Sequence, residues 1–361
     1  MMKRNVLLTP GPATTTDTVK ESLLVSDMWT RHPDFEKLMK SIRTDLLKIV
    51  NADNQYTCIL FASSGTGVME GMVTTLHPTQ RALIISNGIY GERFCQIADI
   101  YGIDYYNLKL DWGEPIDIEK LNGLIESEMF SHIFMTHHET TTGILNPIKE
   151  VGKLAREYDL VFCVDAISSY AGVPINIKEC GIDFLVGTSV KCLQGMSGIA
   201  FLICRRHRLE EIKKYQKSYY FNFYDQYTHL EDKNQSRFTV PVQIMYGLRQ
   251  ALDETLSEKD RMKRYEENYQ TLVDGMNDKG FKSYLGKDVP RSKLLETFCF
   301  LDHPKFDFDT FKNKLYKKGY TIYESLIPDT FRVCNIGAIN SVDIASFLLV
   351  TDSVLRDMGI E

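Results

Sequence analysis

The sequence predicts an α/β protein with a mostly parallel sheet in a large domain and a smaller α+β domain at the carboxyl end. Short apolar runs of strand length alternate with amphipathic stretches of helix length over the first two thirds of the chain. After residue 240 this alternation stops, and a long charged stretch is followed by short strand-like runs. Alternating strands and helices are typical of a parallel sheet, and the change of pattern indicates a second domain.

Six apolar runs are the predicted strands of the sheet. They lack the polar alternation of a strand with one face in water, so we expect them to be buried on both faces. The runs are residues 58–61, 82–85, 132–135, 161–164, 183–186 and 200–203. Amphipathic stretches between them, such as residues 148–158, are predicted to be the helices that cover the sheet.

The domain boundary is predicted near residue 240, with a large domain in residues 1–240 and a small one in residues 241–361. Residues 242–277 are typical of one long charged helix that links the two. Strands are then predicted at 297–301, 320–323 and 331–333, and a helix at 308–318. We expect the N-terminal segment 1–15 to pack near the functional site or against the small domain.

Composition excludes several classes of function. The 361 residues carry a net charge of -6 and no Lys/Arg stripe, so no nucleic-acid partner is expected. No apolar stretch reaches the ~18 residues of a membrane helix, and no membrane partner is expected either. The eight cysteines are scattered without zinc spacing. This pattern predicts a reduced, cytoplasmic protein without a metal site.

Four polar features follow predicted strands. A small-residue loop with Ser64, Gly65 and Thr66 enters a helical run, Asp165 ends one strand, and Lys191 lies in a small-residue loop after another. The fourth is the hydroxyl-rich stretch 139–143. Taken singly, they have ordinary explanations: a capped turn, a helix N-cap, a solvated lysine and a plain turn.

Together these features are far more specific, because ligands of parallel sheets bind at the carboxyl ends of the strands. Pyridoxal phosphate requires a lysine amine for a covalent link, a carboxylate at its ring nitrogen and a cradle for its phosphate. Lys191, Asp165 and the loop at residues 64–66 supply these groups. We therefore predict pyridoxal 5′-phosphate as the cofactor.

The motifs resemble the class V aminotransferases, which have the type I fold of pyridoxal-phosphate-dependent transferases. The resemblance spans nearly the whole chain. The matching stretches are LLTPGP at 7–12, SGT at 64–66, NGIYGER at 87–93, HETTTG at 138–143, DAISS at 165–169, KCLQG at 191–195, RFT at 237–239 and FRVCNIG at 331–337.

The resemblance implies a role for each matching residue, with Lys191 and Asp165 as the catalytic pair. The residues implied to bind the cofactor are Ser64, Gly65 and Thr66 at the phosphate, Tyr90 on the ring face, Thr140 at the ring oxygen, Asp165 at the ring nitrogen, Lys191 in the covalent link and Thr239 at the phosphate of the neighbouring subunit. The last role implies a homodimer with shared active sites. Arg332 is implied to grip the acid group of the substrate, which suits the fork of a guanidinium.

Within class V, the motifs are most similar to those of transaminases that use 2-aminoethylphosphonate and pyruvate. Serine– or alanine–glyoxylate (or –pyruvate) transaminases have closely similar motifs and are the alternative. The chain departs from the phosphonate enzymes at Val190, where they have Asn, at Gln194, where they have Glu, and at residues 324–326, which read Glu-Ser-Leu instead of Pro-Gly-Lys.

Other classes fit the sequence less well. A cysteine desulfurase would need a histidine in place of Tyr90 and a nucleophilic cysteine on a mobile loop. A nicotinamide dehydrogenase would need a Gly-rich fingerprint after the first strand, which is missing. A non-catalytic protein of the same fold would not need Lys191, Asp165 and Arg332 together.

Overall fold

A computed structural model describes residues 5–360. Residues 1–4 and 361, the outer ends of the two predicted domains, lie outside the described residues. The strands are β1 (Val6–Leu7), β2 (Tyr56–Phe61), β3 (Arg81–Ser86), β4 (Asp104–Lys109), β5 (His132–Thr136), β6 (His138–Glu139), β7 (Ile144–Leu145), β8 (Val161–Asp165), β9 (Phe184–Thr188), β10 (Ala200–Arg205), β11 (Leu295–Cys299), β12 (Tyr320–Thr321), β13 (Tyr323–Glu324) and β14 (Thr330–Cys334).

The helices are α1 (Asp17–Glu21), α2 (Pro33–Ile49), α3 (Gly65–Val73), α4 (Ile89–Tyr101), α5 (Ile118–Ser127), α6 (Ile148–Glu157), α7 (Arg206–Ile212), α8 (Phe223–Lys233), α9 (Val242–Ser257), α10 (Arg261–Asp278), α11 (Phe308–Lys317) and α12 (Ser341–Asp357).

The central sheet contains seven strands in the order β2-β10-β9-β8-β5-β3-β4. Strand β10 runs antiparallel to β2 and β9, and the other pairings are parallel. The prediction of a mostly parallel sheet is confirmed. Successive side chains of a strand point to opposite faces, so the continuous burial of β2, β5, β8 and β9 means that both faces are covered.

Strand β4 was not predicted from the sequence. Its residues Asp104–Lys109 are half-buried in the middle and exposed at both ends. Within residues 5–360, only β3 pairs with it, at the edge of the sheet. A strand in this position does not need a continuous apolar run, so it lacks the signal that identified the buried strands.

A second, smaller unit is built on the antiparallel sheet β11-β14-β13. Phe298 and Phe331 pack with residues of α10, α11 and α12 in a hydrophobic core separate from that of the main sheet. Val6 and Leu8 belong to this second core, and β1 pairs in parallel with β12. Segments near both ends of the described residues therefore meet in the small unit.

The prediction of one long helix over 242–277 is wrong, because the structure has two helices, α9 and α10. At Glu258 the backbone leaves the helical region, with φ -84 and ψ 87. The Glu258 carboxylate accepts hydrogen bonds from Arg261 Nε and Arg264 Nε, each at 2.7 Å. These bonds connect Glu258, where the helix is interrupted, to the first turn of α10. The interruption could not be predicted, because charged residues at such a position resemble those on the surface of a continuous helix.

Among the helices of residues 5–360, none combines the length and the apolar character that crossing a lipid bilayer requires.

Candidate active site

The candidate site lies where the parallel strands of the main sheet end. Thr136 of β5 is in register with Asp165 of β8, and Asp165 is in register with Val186 of β9. Strands β2 and β3 run in the same direction and lead to the starts of α3 and α4. The loops that carry the predicted site residues therefore gather at this edge, as the α/β pattern predicts.

Lys191 follows β9 and is half-buried, with its Nζ donating a 2.5 Å hydrogen bond to Pro10 O. Burial lowers the pKa of its ammonium group. Gly11 has φ +149, a conformation that residues with side chains rarely adopt, and a Cβ there would lie 2.3 Å from Lys191 Nζ, so glycine lets the amine lie against this backbone. A less basic, oriented amine is suited to attack a carbonyl and to move a proton.

Residues 8–13, which we call the N-terminal strap, run between Lys191 and the small sheet. Ala13 N donates to Val190 O at 3.1 Å, and Cys334 N donates to Leu8 O at 3.0 Å. The strap thus fixes the backbone beside Lys191 relative to β14, the strand that carries Arg332.

Asp165 is almost fully buried, and its Oδ1 accepts a hydrogen bond from Ile167 N at 2.8 Å. Burial raises the pKa of Asp165 from 3.8 to about 7; the Ile167 N–H opposes this rise, and the negative charge of Glu139 adds to it. A cationic partner beside the carboxylate would restore its ionised form.

Thr140 lies in the hydroxyl-rich loop after β6 and is also buried. Its Oγ1 has no hydrogen-bond partner among the described residues, which is uncommon for a buried hydroxyl. Its backbone oxygen accepts a 3.0 Å hydrogen bond from Arg332 Nη1. An unpaired buried hydroxyl at this edge is suited to an oxygen of a bound ligand.

Helix α3 begins at Gly65, and the Ser64 side chain at the N-cap makes no capping hydrogen bond. Ser64 and Thr66 are exposed, so the first N–H groups of the helix open to the site edge. A Cβ on Gly65 would lie 2.4 Å from Ile167 Cδ1, so the missing side chain lets this loop approach the segment after Asp165. The loop is suited to a phosphate.

Tyr90 is half-buried in the first turn of α4. The Arg93 guanidinium carbon lies 4.7 Å from the Tyr90 ring centroid, and Arg93 Nη1 donates to Thr66 Oγ1 at 3.2 Å. Arg93 therefore links the tyrosine with the loop at the start of α3. No role for Arg93 could be predicted from the sequence, because a lone arginine on a helix usually belongs to the solvated surface.

Arg332 comes from β14 of the small sheet and is almost fully buried. Besides its bond to Thr140 O, its Nη2 donates to Glu324 O at 2.9 Å, and its Nε is buried without a partner among the described residues. The guanidinium carbon lies 4.8 Å from the ring centroid of Tyr323. Arg332 thus brings a fixed positive charge from the small unit to the loop of Thr140.

Thr239 is not brought to the other candidate residues. It is exposed in the segment between α8 and α9 and forms no hydrogen bond with them. Arg31 holds the preceding backbone by donating from Nη1 to Ser236 O at 2.7 Å.

The three departures from the phosphonate enzymes have different surroundings. Val190 contributes its backbone oxygen to the N-terminal strap. Gln194 is buried and donates from Nε2 to the Tyr265 hydroxyl at 2.7 Å, so it has a packing partner on α10. Residues 324–326 lie beside Arg332, and Leu326 is 57% exposed.

The cysteines near the site are not activated nucleophiles. Cys192 and Cys334 are buried, and burial raises the pKa of Cys192 to about 12 and that of Cys334 further. A thiolate is the reactive form of cysteine, so neither suits a desulfurase reaction.

The described residues fit pyridoxal phosphate. The start of α3 matches its phosphate, the unpaired Thr140 hydroxyl matches its ring oxygen, and the buried carboxylate of Asp165 matches a protonated ring nitrogen. The amine of Lys191 lies in a loop at the same edge.

Comparison with known proteins agrees with this geometry. The family described as aminotransferase class V matches residues 16–314. A 2-aminoethylphosphonate–pyruvate transaminase from Phocaeicola vulgatus is 35% identical over 98% of this chain and 100% of its own. One of the same name from Bacteroides fragilis is 37% identical over 97% of this chain and 98% of its own.

Solved structures show the same fold. An alanine–glyoxylate aminotransferase from Nostoc sp. matches with a TM-score of 0.91 and 24% identity, covering 99% of this chain and 96% of that one. A pyridoxamine–pyruvate aminotransferase from Mesorhizobium loti matches with a TM-score of 0.90 and 18% identity, covering 99% and 94%. The predicted type I fold is confirmed, and the chain belongs to the class V aminotransferases.

Proposed function

We propose that this enzyme transfers the amino group of 2-aminoethylphosphonate to pyruvate, giving phosphonoacetaldehyde and L-alanine. The observation that carries the proposal is the 35% identity to a transaminase of that name over 98% of this chain, which includes both Lys191 and Arg332. The buried guanidinium of Arg332, with an unpaired Nε, supports a substrate that carries an acid group.

Pyridoxal 5′-phosphate is the cofactor of this class. When bound, it supplies an aldehyde that links to amines and a ring that accepts the electron pair of the substrate carbon. We propose that Ser64, Gly65 and Thr66 bind its phosphate, that Thr140 donates to its ring oxygen, and that Tyr90 packs on its ring.

Lys191 and Asp165 do the proton chemistry in this proposal. Lys191 Nζ takes the proton from the substrate carbon and would deliver it to the aldehyde carbon of the cofactor, and the carbonyl of Pro10 orients the amine. Its lowered pKa leaves more of the amine neutral and able to accept a proton. Asp165 holds a proton at the ring nitrogen, and its burial excludes water from that pair.

The substrate assignment is tested by a half-reaction screen. The loaded enzyme is mixed separately with 2-aminoethylphosphonate, serine, alanine and aspartate, and the decay of the visible absorption is followed. We expect fast decay with the phosphonate and with alanine, the product of the second half-reaction. Fast decay with serine or alanine but not with the phosphonate would favour a serine– or alanine–glyoxylate (or –pyruvate) transaminase. No decay with any donor would favour a non-catalytic protein.

We further propose a homodimer in which Thr239 reaches the phosphate bound by the partner subunit. Thr239 is exposed, and the neighbouring Tyr219 is 77% exposed with its ring 5.8 Å from that of Phe238. An exposed aromatic surface beside a candidate ligand supports contact with a second copy. Sedimentation measures the assembly, and mixing K191A with T239V subunits tests the sharing, because one site of each hybrid would then be intact.

Two organisational proposals complete the assignment. Residues 1–240 hold the cofactor, and residues 241–361 form the linking helical region and the small domain. Two separate hydrophobic cores support a division into two units, with α9 packed in the core of the large unit and Val6 and Leu8 in that of the small one. Limited proteolysis would test the boundary.

We propose a cytoplasmic enzyme, because all eight cysteines are free thiols, and cell fractionation would test this location.

A further inference from the structure

Glu139 is a fully buried carboxylate that the roles proposed above do not use. Four hydrogen bonds converge on it. Its Oε2 accepts from the backbone N–H groups of Tyr90 at 3.1 Å and Gly91 at 3.2 Å. Its Oε1 accepts from Thr141 N at 3.1 Å and from Thr141 Oγ1 at 2.6 Å.

These bonds suit an ionised carboxylate: burial raises the pKa of Glu139, and the hydrogen bonds from Thr141, Gly91 and Tyr90 oppose that rise. The first N–H groups of α4 have no partner within the helix, and Gly88 at the N-cap has no side chain to supply one. Glu139 caps the helix from outside, and the positive end of the helix dipole favours its negative charge. A glutamine could accept with its oxygen but would turn an NH₂ group towards one pair of donors.

The packing around Glu139 matches this role. A Cβ on Gly88 would lie 2.3 Å from Glu139 Cγ, so the carboxylate fits against the backbone at the start of α4. Thr141 Oγ1 also accepts a hydrogen bond from Ile89 N at 3.1 Å. The loop after β6 and the first turn of α4 are therefore bonded to each other at several points.

Two proposed cofactor contacts lie at this junction. The backbone N–H of Tyr90 donates a hydrogen bond to Glu139. Thr140 lies in the chain between Glu139 and Thr141, which are bonded to each other. Fixing the backbone on both sides sets the place of the Tyr90 ring relative to the Thr140 hydroxyl.

We propose that Glu139 is a positioning residue that holds Tyr90 and Thr140 at the separation the cofactor ring requires. Glu139 acts through these two residues and does not touch the reacting atoms. The inference rests on the proposed binding roles of Tyr90 and Thr140, and it does not depend on which amine is the donor.

The structure offers a matched control. Glu296 in the small unit is also buried, at 1% exposure, and bonds the Tyr269 hydroxyl, but it bonds none of the candidate site residues. Glu139→Gln and Glu296→Gln make the same chemical change at two buried carboxylates. An effect of lost buried charge alone would occur in both variants.

The first measurement is amide hydrogen exchange in the cofactor-free protein, followed in peptides that cover residues 89–91. We expect faster exchange there in E139Q, by about 10-fold to 100-fold for the loss of hydrogen bonds to a charged group, and wild-type exchange in E296Q. This measurement needs neither cofactor nor substrate. The role of Glu139 can therefore be contradicted while the proposed reaction stands, and the reverse also holds.

The second measurement is the visible circular dichroism of the bound cofactor, together with its rate of release on dialysis. We expect E139Q to weaken the visible band and speed release, and E296Q to leave both unchanged. Unchanged exchange and an unchanged visible band in E139Q would overturn the proposal, as would an equal change in E296Q. If E139Q does not fold, T141V removes the hydroxyl that donates to Glu139 and accepts from Ile89 N, and the absence of a smaller change in the same direction in the exchange of Tyr90 and Gly91 and in the visible band would overturn the proposal.

Discussion

The two sides of the site are built in different ways. The side proposed to hold the cofactor lies along the buried edge of the main sheet, where Asp165 and Thr140 are nearly inaccessible. The side proposed to hold the acid group is Arg332 with the segment from Tyr323 to Leu326, in which Tyr323 is 48% exposed. The first side depends on a sheet of seven strands, and the second on β14, the middle strand of a three-stranded sheet, and on the segment that begins at the edge strand β13.

This difference indicates how such an enzyme can keep its cofactor chemistry while its substrate changes. Substitutions at 324–326 alter exposed side chains beside Arg332 and leave the main sheet untouched. Substitutions at Asp165 or Lys191 alter a buried carboxylate and a half-buried amine at the edge of the main sheet. Changes on the first side should therefore abolish the chemistry, and changes on the second should alter substrate binding.

The largest effect is expected from Lys191→Ala. Removing the amine should lower transamination by about 1,000-fold or more, because the proton transfer and the covalent link both depend on it. Borohydride should no longer fix the cofactor to the protein, which mass spectrometry would detect. Lys153→Ala, an exposed lysine on α6, should behave as wild type. Full turnover by K191A would rule out this mechanism.

Asp165→Asn should lower transamination by about 100-fold to 1,000-fold, since a neutral amide cannot hold the ring nitrogen protonated. Steady-state rates with saturating donor and acceptor would measure the loss. Rates within two-fold of wild type would show that the ring proton does not depend on this carboxylate.

The same variant should change the pH dependence of stability in the cofactor-free protein. The folded pKa of Asp165 is about 7 against 3.8 unfolded, so the folded state holds the proton more tightly. Its contribution to stability is present below pH 3.8 and falls by about 1.4 kcal/mol per pH unit as the pH rises towards 7. Urea unfolding of both proteins between pH 4 and 7 should show this slope in the difference between wild type and D165N, and parallel curves would contradict it.

Arg332→Lys tests the acid-binding side. A lysine cannot reproduce the forked contact, so KM for the acid-bearing substrates should rise by about 10-fold to 100-fold while the visible spectrum of the cofactor stays unchanged. Arg356→Lys, on the exposed face of α12, should leave KM unchanged. A loss of cofactor binding in R332K would mean that the two sides are not separable.

The smallest effect is expected from Tyr323→Ala. The ring lies over the Arg332 guanidinium, and an exposed contact of this kind contributes about 0.5–1 kcal/mol. KM should rise a few-fold, and Tyr323→Phe, which keeps the ring, should match wild type. Equal effects of the two substitutions would assign the role to the hydroxyl instead of the ring.

The buried strands and the edge that carries the site could be predicted because they leave local signals. Asp165 ends β8 and Lys191 follows the adjacent strand β9, so the apolar runs were sufficient to place both at one edge. The break at Glu258 and the edge strand β4 leave no such signal, since charged and half-polar stretches are also typical of helix surfaces.

Contacts between distant segments could not be predicted. Glu139 caps a helix whose first residues lie about fifty positions earlier, and Pro10 O accepts from Lys191. In the sequence, Glu139 is one polar residue at the start of a threonine-rich loop, and a backbone oxygen has no sequence signature. Such roles become visible only when the packing of the whole chain is known.

The N-terminal strap has a consequence for the order in which the enzyme is completed during its synthesis. Asn5 bonds Thr321, 316 residues further along the chain, and Leu8 O accepts from Cys334 N. The segment that orients Lys191 is therefore synthesised long before the strands that hold this segment. The surroundings of the lysine are complete only after β14 has been synthesised, and chains stalled before β14 lack the strand that holds the N-terminal strap.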